Sequence, residues 1–270
     1  TLEYAYNDWN IYDMAKRMNR TDIAEQYAKR AQNYRNIFDP RLGFARPKDE
    51  QGNFKHPFDL LDTDGQGFIE GNSWNYSFFV PHDVPGLIGL MGGDKRFIQR
   101  LDSLFTMELP PKYYENTEDI TVEGLMGNYV HGNEPSHHVP YLYAWTSQPW
   151  KLQSRVREIM DRMYKNKPDG LCGNDDCGQM SAWYIFSAMG FYPVCPGSDQ
   201  YVLGSPNAEE FTLHLENGNT LVIKAQNFSS KNVYVKSVRL NGKLHNSFFI
   251  NHDDLMKGGE LVFEMSAKQN

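Results

Sequence analysis

Glu70 stands in the run Gly67-Phe-Ile-Glu-Gly-Asn-Ser-Trp-Asn-Tyr76, a turn dense in amides and aromatic rings just ahead of a helix-like stretch. A carboxylic acid in such company can protonate a leaving oxygen, while rings stack on a pyranose face and amides bind hydroxyls. The plainer reading makes Glu70 a cap for backbone amides at a helix start. A second loop reads His131-Gly-Asn-Glu-Pro-Ser-His-His138. Asn133 and Glu134 offer hard oxygen ligands on irregular backbone, which suits calcium. A zinc site from His131, Glu134 and His138 is the rival, although the spacing is not the His-Glu-x-x-His pattern. The third reading makes Glu134 a helix cap with Pro135 at the first helical position.

The third loop runs Leu171-Cys-Gly-Asn-Asp-Asp-Cys-Gly-Gln-Met-Ser-Ala-Trp183. Asp176 followed by Gln179 imitates a capping box, yet the adjacent Asp175 and Asp176 exceed what one cap requires. Two carboxyls facing one cavity divide the labour of glycoside hydrolysis: one protonates the leaving oxygen and the other activates a water. A separation of roughly 6.5 to 9.5 Å gives inversion, and roughly 5 to 5.5 Å gives retention.

These loops need a scaffold, and the apolar spacing supplies one. Leu2, Ala5, Trp9 and Tyr12, then Ile23, Tyr27 and Tyr34, predict a helix pair in which Thr21 caps the second member. Val84 to Met91 predicts a short helix, and Phe97, Ile98, Leu101, Leu104 and Phe105 predict a longer one capped by Asp94. Further helical runs fall at 137–146, 149–163 and 179–189. The long loops at 40–72, 109–136 and 166–178 are of the kind that compact domains keep for function. Past Pro193 the pattern alternates, in Phe211 to Leu215, Thr220 to Ala225, Val233 to Leu240 and Leu261 to Met265, with turn signals such as Asn241-Gly242 between. The chain therefore reads as mainly α with a β tail: a helical domain over 1–190 and an antiparallel sheet or sandwich segment over 191–270.

With 270 residues, 40% of them apolar, the chain can bury a large core. Its net charge of −7 is spread without a basic block, which disfavours nucleic acid as a partner. No apolar run approaches the roughly 18 residues of a membrane span. Cys172, Cys177 and Cys195 lack zinc-ribbon spacing; Cys172 and Cys177 suit either a bridge or burial as free thiols. The stretch from Leu2 already reads as the middle of a helical layer, so the chain is expected to derive from a longer precursor.

The segments Thr1 to Trp9, Glu70 to Tyr76, Val80 to Val84, Gly132 to His138, Gln148 to Trp150 and Gly173 to Trp183 resemble glycoside hydrolase family 92. That family comprises calcium-dependent, inverting, exo-acting α-mannosidases. The resemblance implies part of an (α/α)6 toroid, preceded in whole enzymes by an N-terminal β-sandwich domain that would be this chain's missing partner. It makes Glu70 the general acid and Asp176 the general base. Asn174 holds the place, two positions before the base, where the family often has a second acidic residue. Asn133 and Glu134 become calcium ligands, and Asn72, Trp74, His137, His138 and Asp175 the candidate contacts to a mannose-containing glycan. For its role Glu70 must keep its proton near neutrality, with burial against Trp74 and neighbouring carboxylates as the expected device. Exported family members imply a periplasmic or extracellular location. The competing reading is a glycan-binding fragment without turnover.

Overall fold

The computed structural model describes residues 1–113 and 122–269, so 114–121, within the second long loop, lie outside the described residues. The chain divides into two compact units, Thr1–Val139 and Pro140–Asn270.

In the first unit α1 (Leu2–Arg17) and α2 (Thr21–Arg30) form the expected pair. Arg30 clamps Asp8 across it, with Nε 3.1 Å from Oδ2 and Nη2 3.1 Å from Oδ1. Arg20, not Thr21, occupies the cap of α2, and the helix stops at Arg30; the chain continues as a 3₁₀ turn over Asn33–Ile37 that places Tyr34. A hairpin of β1 (Phe38–Asp39) and β2 (Phe44–Ala45) follows, then the single-turn α3 (Ser73–Tyr76), α4 (Val84–Leu90) and α5 (Asp94–Thr106). Asp83 caps α4: its Oδ1 accepts the Gly86 N–H at 2.9 Å, while Oδ2 accepts Tyr34 Oη at 2.6 Å and Arg35 Nη2 at 2.8 Å. One carboxylate thus satisfies a helix start and ties it to the turn after α2. Asp94 is the first residue of α5 rather than its cap, a position taken by Gly93. The apolar stripe of α5 is buried as expected, Phe97, Ile98, Leu101, Leu104 and Phe105 together.

The hairpin β3 (Leu125–Met126) and β4 (Tyr129–Val130) docks on the end of α5, where Asn128 N–H donates to Leu104 O at 2.7 Å. Gly127 makes this approach possible. Its φ is +66°, and a Cβ there would stand 2.4 Å from Leu104 O.

In the second unit the stretch Val139–Trp145, which begins at the boundary, is 3₁₀ rather than the α-helix expected over 137–146. Two longer helices follow, α6 (Trp150–Met163) and α7 (Gln179–Met189). The strands are β5 (Phe191–Tyr192), β6 (Gln200–Leu203), β7 (Glu210–His214), β8 (Thr220–Gln226), β9 (Tyr234–Leu240), β10 (Lys243–His245) and β11 (Phe249–Asn251); the short α8 (His252–Met256) then leads to β12 (Gly259–Ser266). They form a five-stranded sheet ordered β10-β9-β12-β8-β7 and a three-stranded sheet ordered β11-β6-β5.

The larger sheet departs from the antiparallel expectation in one place: β12 pairs parallel to β8, with Gly259 opposite Leu221 and Glu264 opposite Gln226. The chain leaves β9, passes through β10, β11 and α8, and returns to fill the slot between β9 and β8. Alternation marks a strand but carries no signal for such an insertion. The inward residues Leu221, Ile223, Val238, Leu261, Phe263 and Met265 build the core with Met189 and Phe191. Within this unit the strand-rich segment is held to α6 by Gln153 Oε1, which accepts the Val235 N–H, and by Arg157 Nη1, which donates to Pro206 O at 2.9 Å. All three cysteines are free thiols, with Cys172 buried and Cys177 exposed. Among the described residues no helix is long and apolar enough to cross a membrane.

Candidate active site

The turn carrying Glu70 is shaped by positive φ at Gly67 (+89°) and Gly71 (+61°). A Cβ at Gly71 would meet Asn75 Oδ1 at 2.7 Å, so glycine is required for the turn to close on the helix start. The cap of α3 is reciprocal: Asn75 N–H donates to Asn72 Oδ1 at 3.0 Å, and Asn72 N–H donates to Asn75 Oδ1 at 2.9 Å. Capping therefore belongs to Asn72 and Asn75, and Glu70 takes no part in it. The same geometry buries Asn75, whose triplet Asn75-Tyr-Ser77 matches the N-glycosylation pattern.

Glu70 itself is exposed. It does not lie buried against Trp74 as expected: residues 67–72 are turn rather than helix, so the four-residue spacing does not bring the two side chains onto one face. Its neighbour is Tyr76, whose hydroxyl lies 3.5 Å from Glu70 Oε1 and donates a hydrogen bond to Glu3 Oε1 on α1. The Trp74 ring packs 4.6 Å from that of Phe44, and its indole N–H is buried without an acceptor among the described residues.

Asn72 is 1% exposed, and its amide is filled from within the chain. Its Nδ2 donates to Leu61 O at 3.2 Å and Asn128 Oδ1 at 3.0 Å, while its Oδ1 accepts Asn75 N–H and Asn128 Nδ2, the latter at 3.2 Å. No hydrogen-bonding position remains for a sugar hydroxyl. Asn72 holds the turn instead, and through Asn128 it joins the Glu70 turn to the β3–β4 hairpin that leads into the 131–138 loop. Replacing Asn128 by Leu strands the Asn72 amide in the interior, and a loss of about 1 to 3 kcal/mol is expected. A lowered thermal midpoint in calorimetry would register it, and an unchanged midpoint would contradict this role.

In the 131–138 loop Asn133 occupies the cap of a 3₁₀ turn over Glu134–Ser136, so Glu134 is its first residue and Pro135 its second, with no side-chain capping bond. Glu134 is thus not the cap. His137 Nε2 lies 2.8 Å from His131 O, His138 Nε2 lies 2.9 Å from Phe78 O, and His131 Nδ1 lies 2.8 Å from Tyr129 Oη. Burial pushes the imidazoles of His137 and His138 down to about 4 and that of His131 well below its ordinary value, so all three are neutral near pH 7. Among the described residues no group of three or more His, Cys, Asp and Glu is placed to hold a metal ion, so the zinc set of His131, Glu134 and His138 is not assembled. The adjacent Asn133 and Glu134 remain a pair of hard oxygen donors of the type calcium accepts.

The third loop lies in the second unit. Asp175, not Asp176, restrains the start of α7: its Oδ1 accepts the Ser181 N–H and its Oδ2 the Ser181 hydroxyl, both at 2.9 Å. Asp175, expected to contact sugar, thus has both oxygens engaged by Ser181 in the first turn of α7. Asp176 is exposed. Its backbone is left-handed, φ +42°, followed by Cys177 at +58° and Gly178 at +87°. Two successive non-glycine residues in that region are a local cost of order 1 to 3 kcal/mol each, a strain that clusters at functional sites. Asn174 is exposed beside them.

Sequence reasoning missed Glu3 and Asn128. Glu3 reads as an ordinary acid in a first helical turn, and Asn128 as a hairpin turn residue; neither spacing carries a signal of its distant partner.

Exposed carboxylates carried on turns at helix starts, one in each unit, are of the kind found in glycoside hydrolases. Residues 1–267 match the model of the glycosyl hydrolase family 92 catalytic domain, and the chain belongs to that family. It is similar along its whole length to the solved family GH92 α-mannosidase BT3965 from Bacteroides thetaiotaomicron, with 44% identity, TM-score 0.93 and 35% of that chain covered. That relative is also solved in complex with mannoimidazole. The family GH92 inverting mannosidase BT2199 from the same organism gives 43% identity and TM-score 0.89, again over all of this chain and 37% of its own. Among curated proteins, a protein from Arthroderma benhamiae described as an uncharacterized secreted glycosidase is 28% identical over 100% of this chain and 36% of its own length. The chain thus spans about a third of the length of the relatives it matches.

Proposed function

We propose that this chain carries the catalytic carboxylates of an inverting exo-α-mannosidase that releases mannose from mannose-capped glycans. The observation that carries the reading is what remains once the structural work is assigned. Asn72 and Asn75 cap α3 and Asp175 restrains α7, which leaves Glu70 and Asp176 exposed on turns made from left-handed backbone. The mannosidase relatives, one of them solved with mannoimidazole, support mannose as the sugar.

Glu70, carrying its proton, donates it to the glycosidic oxygen as the bond to the anomeric carbon breaks. Asp176 accepts a proton from the water that attacks that carbon on the opposite face, so the configuration inverts. Asn133 and Glu134 would hold calcium, which when bound supplies a positive charge that grips and polarises the sugar's 2- and 3-hydroxyls. Asn174 assists Asp176 as a neutral neighbour, while Trp74, His137 and His138 belong to the wall of the sugar site. The architecture proposed for the whole polypeptide is an (α/α)6 toroid with an N-terminal β-sandwich domain completing the site, in a periplasmic or extracellular location consistent with the secreted relative.

The intact polypeptide is expected to release mannose as the β anomer first, seen by proton NMR, to lose activity with a chelator and to regain it with calcium. Initial release of the α anomer would exclude inversion, and full chelator-resistant turnover would exclude the metal. The exposure of Glu70 favours a second reading for the 270-residue chain alone, calcium-dependent glycan capture without turnover. Mannose release by that chain alone would dismiss it.

A further inference from the structure

We propose that Glu3 and Tyr76 are positioning residues for Glu70: Glu3 accepts the hydrogen bond of the Tyr76 hydroxyl, and the Tyr76 oxygen is thereby left to receive a hydrogen bond from the protonated Glu70. The inference rests on the reading of Glu70 as the general acid. Glu3 lies in the first turn of α1 and Tyr76 is the last residue of α3. The Tyr76 hydroxyl donates to Glu3 Oε1, and its oxygen stands 3.5 Å from Glu70 Oε1.

A phenol has one proton to give and an oxygen that can accept. Burial first, then the two carboxylates, hold that proton well past the ordinary range of a tyrosine, so Tyr76 stays neutral and cannot serve two carboxylates at once. The shorter contact commits its proton to Glu3. What stays open at the oxygen is a bond that Glu70 donates, which the acid form can make and the carboxylate cannot. The network therefore complements the form of Glu70 that the reaction consumes, and it fixes one oxygen of that carboxyl on the Tyr76 side.

The plainer reading makes Glu3 a charge opposite the dipole of α1. That role needs no phenol. It also leaves unexplained why the nearly buried ring of Tyr76, held 6.0 Å from Phe68 and 5.9 Å from Phe79, places its hydroxyl between two carboxyls. Glu3 and Tyr76 moreover line a cavity of about 500 Å³ with Lys48 and Phe68, so the pair faces open space rather than sealed core.

The test uses the intact polypeptide with Glu3→Gln, Tyr76→Phe and, as reference, Glu70→Gln, assayed on aryl α-mannosides ranging from good to poor leaving groups. Glu3→Gln and Tyr76→Phe are each expected to lower kcat about 10-fold on the poorest leaving groups, the equivalent of one hydrogen bond to a charged group. KM should be unchanged and the best leaving group affected less than about 2-fold. Adding Glu3→Gln to Glu70→Gln should cost nothing further. Tyr76→Phe keeps the ring packing, so it reports on the hydroxyl even if Glu3→Gln loosens α1. If Glu70→Gln depends steeply on the leaving group while both other variants lose activity evenly or not at all, the positioning roles fall and the acid assignment stands. If Glu70→Gln itself gives a flat profile, the acid assignment falls and this inference with it.

Discussion

In the intact enzyme Glu70→Gln is expected to slow hydrolysis of natural mannosides by about 10² to 10⁴, the range of a positioned general acid. An activated aryl mannoside should be slowed far less. The difference follows from what the proton does. A sugar alkoxide is a poor leaving group and needs protonation as its bond breaks, whereas an activated phenolate departs unaided. Gln keeps the length and hydrogen-bonding reach of Glu, so the Gly67–Gly71 turn and the cap formed by Asn72 and Asn75 persist. The measurement is kcat across a leaving-group series, with the thermal midpoint as a control for folding. Equal losses at both ends of the series would remove Glu70 from the acid role.

The candidate site was legible in the sequence where residue chemistry and covalent neighbourhood coincide. Glu70 among amides and aromatic rings and the oxygen pair Asn133-Glu134 stand out by residue type, and the third loop by one aspartate more than a cap requires. What the sequence did not show is which member of each group does the structural work. Asn72 reads as a sugar contact, but its buried amide is bound to Asn128, 56 residues away. Asp176 with Gln179 reads as a capping box, yet Asp175 reaches Ser181 because left-handed backbone at Asp176 and Cys177 turns the chain out of register with the helix start.

The helices were similarly legible, since their stripes are periodic, while their caps moved by one residue at Thr21 and Asp94. Periodicity reports the buried face; the first hydrogen-bonded turn is decided by neighbours such as Gly93, which periodicity does not see. The parallel pairing of β8 and β12 was hidden for the same reason. Alternation describes each strand's two faces and is silent about which strand returns beside which.

Asp176→Asn is the second large effect expected, and its signature is opposite to that of Glu70. Water must be deprotonated whatever the leaving group, so the loss, again about 10² to 10⁴, should be even across the whole leaving-group series. Asn is the informative replacement on backbone grounds. At φ +42° Asn is among the residues that accept a left-handed conformation best, whereas Ala would add strain to a position already followed by Cys177 at +58°. Asp175→Asn serves as the structural counterpart. Both Asp175 oxygens bond Ser181, so this change should weaken the start of α7 and lower the thermal midpoint. A midpoint shift for Asp175→Asn beside an unchanged one for Asp176→Asn would separate the restraint from the base. The assignment of Asp176 would be lost if Asp176→Asn retained turnover, or if its loss tracked the leaving group as the loss for Glu70→Gln is expected to do.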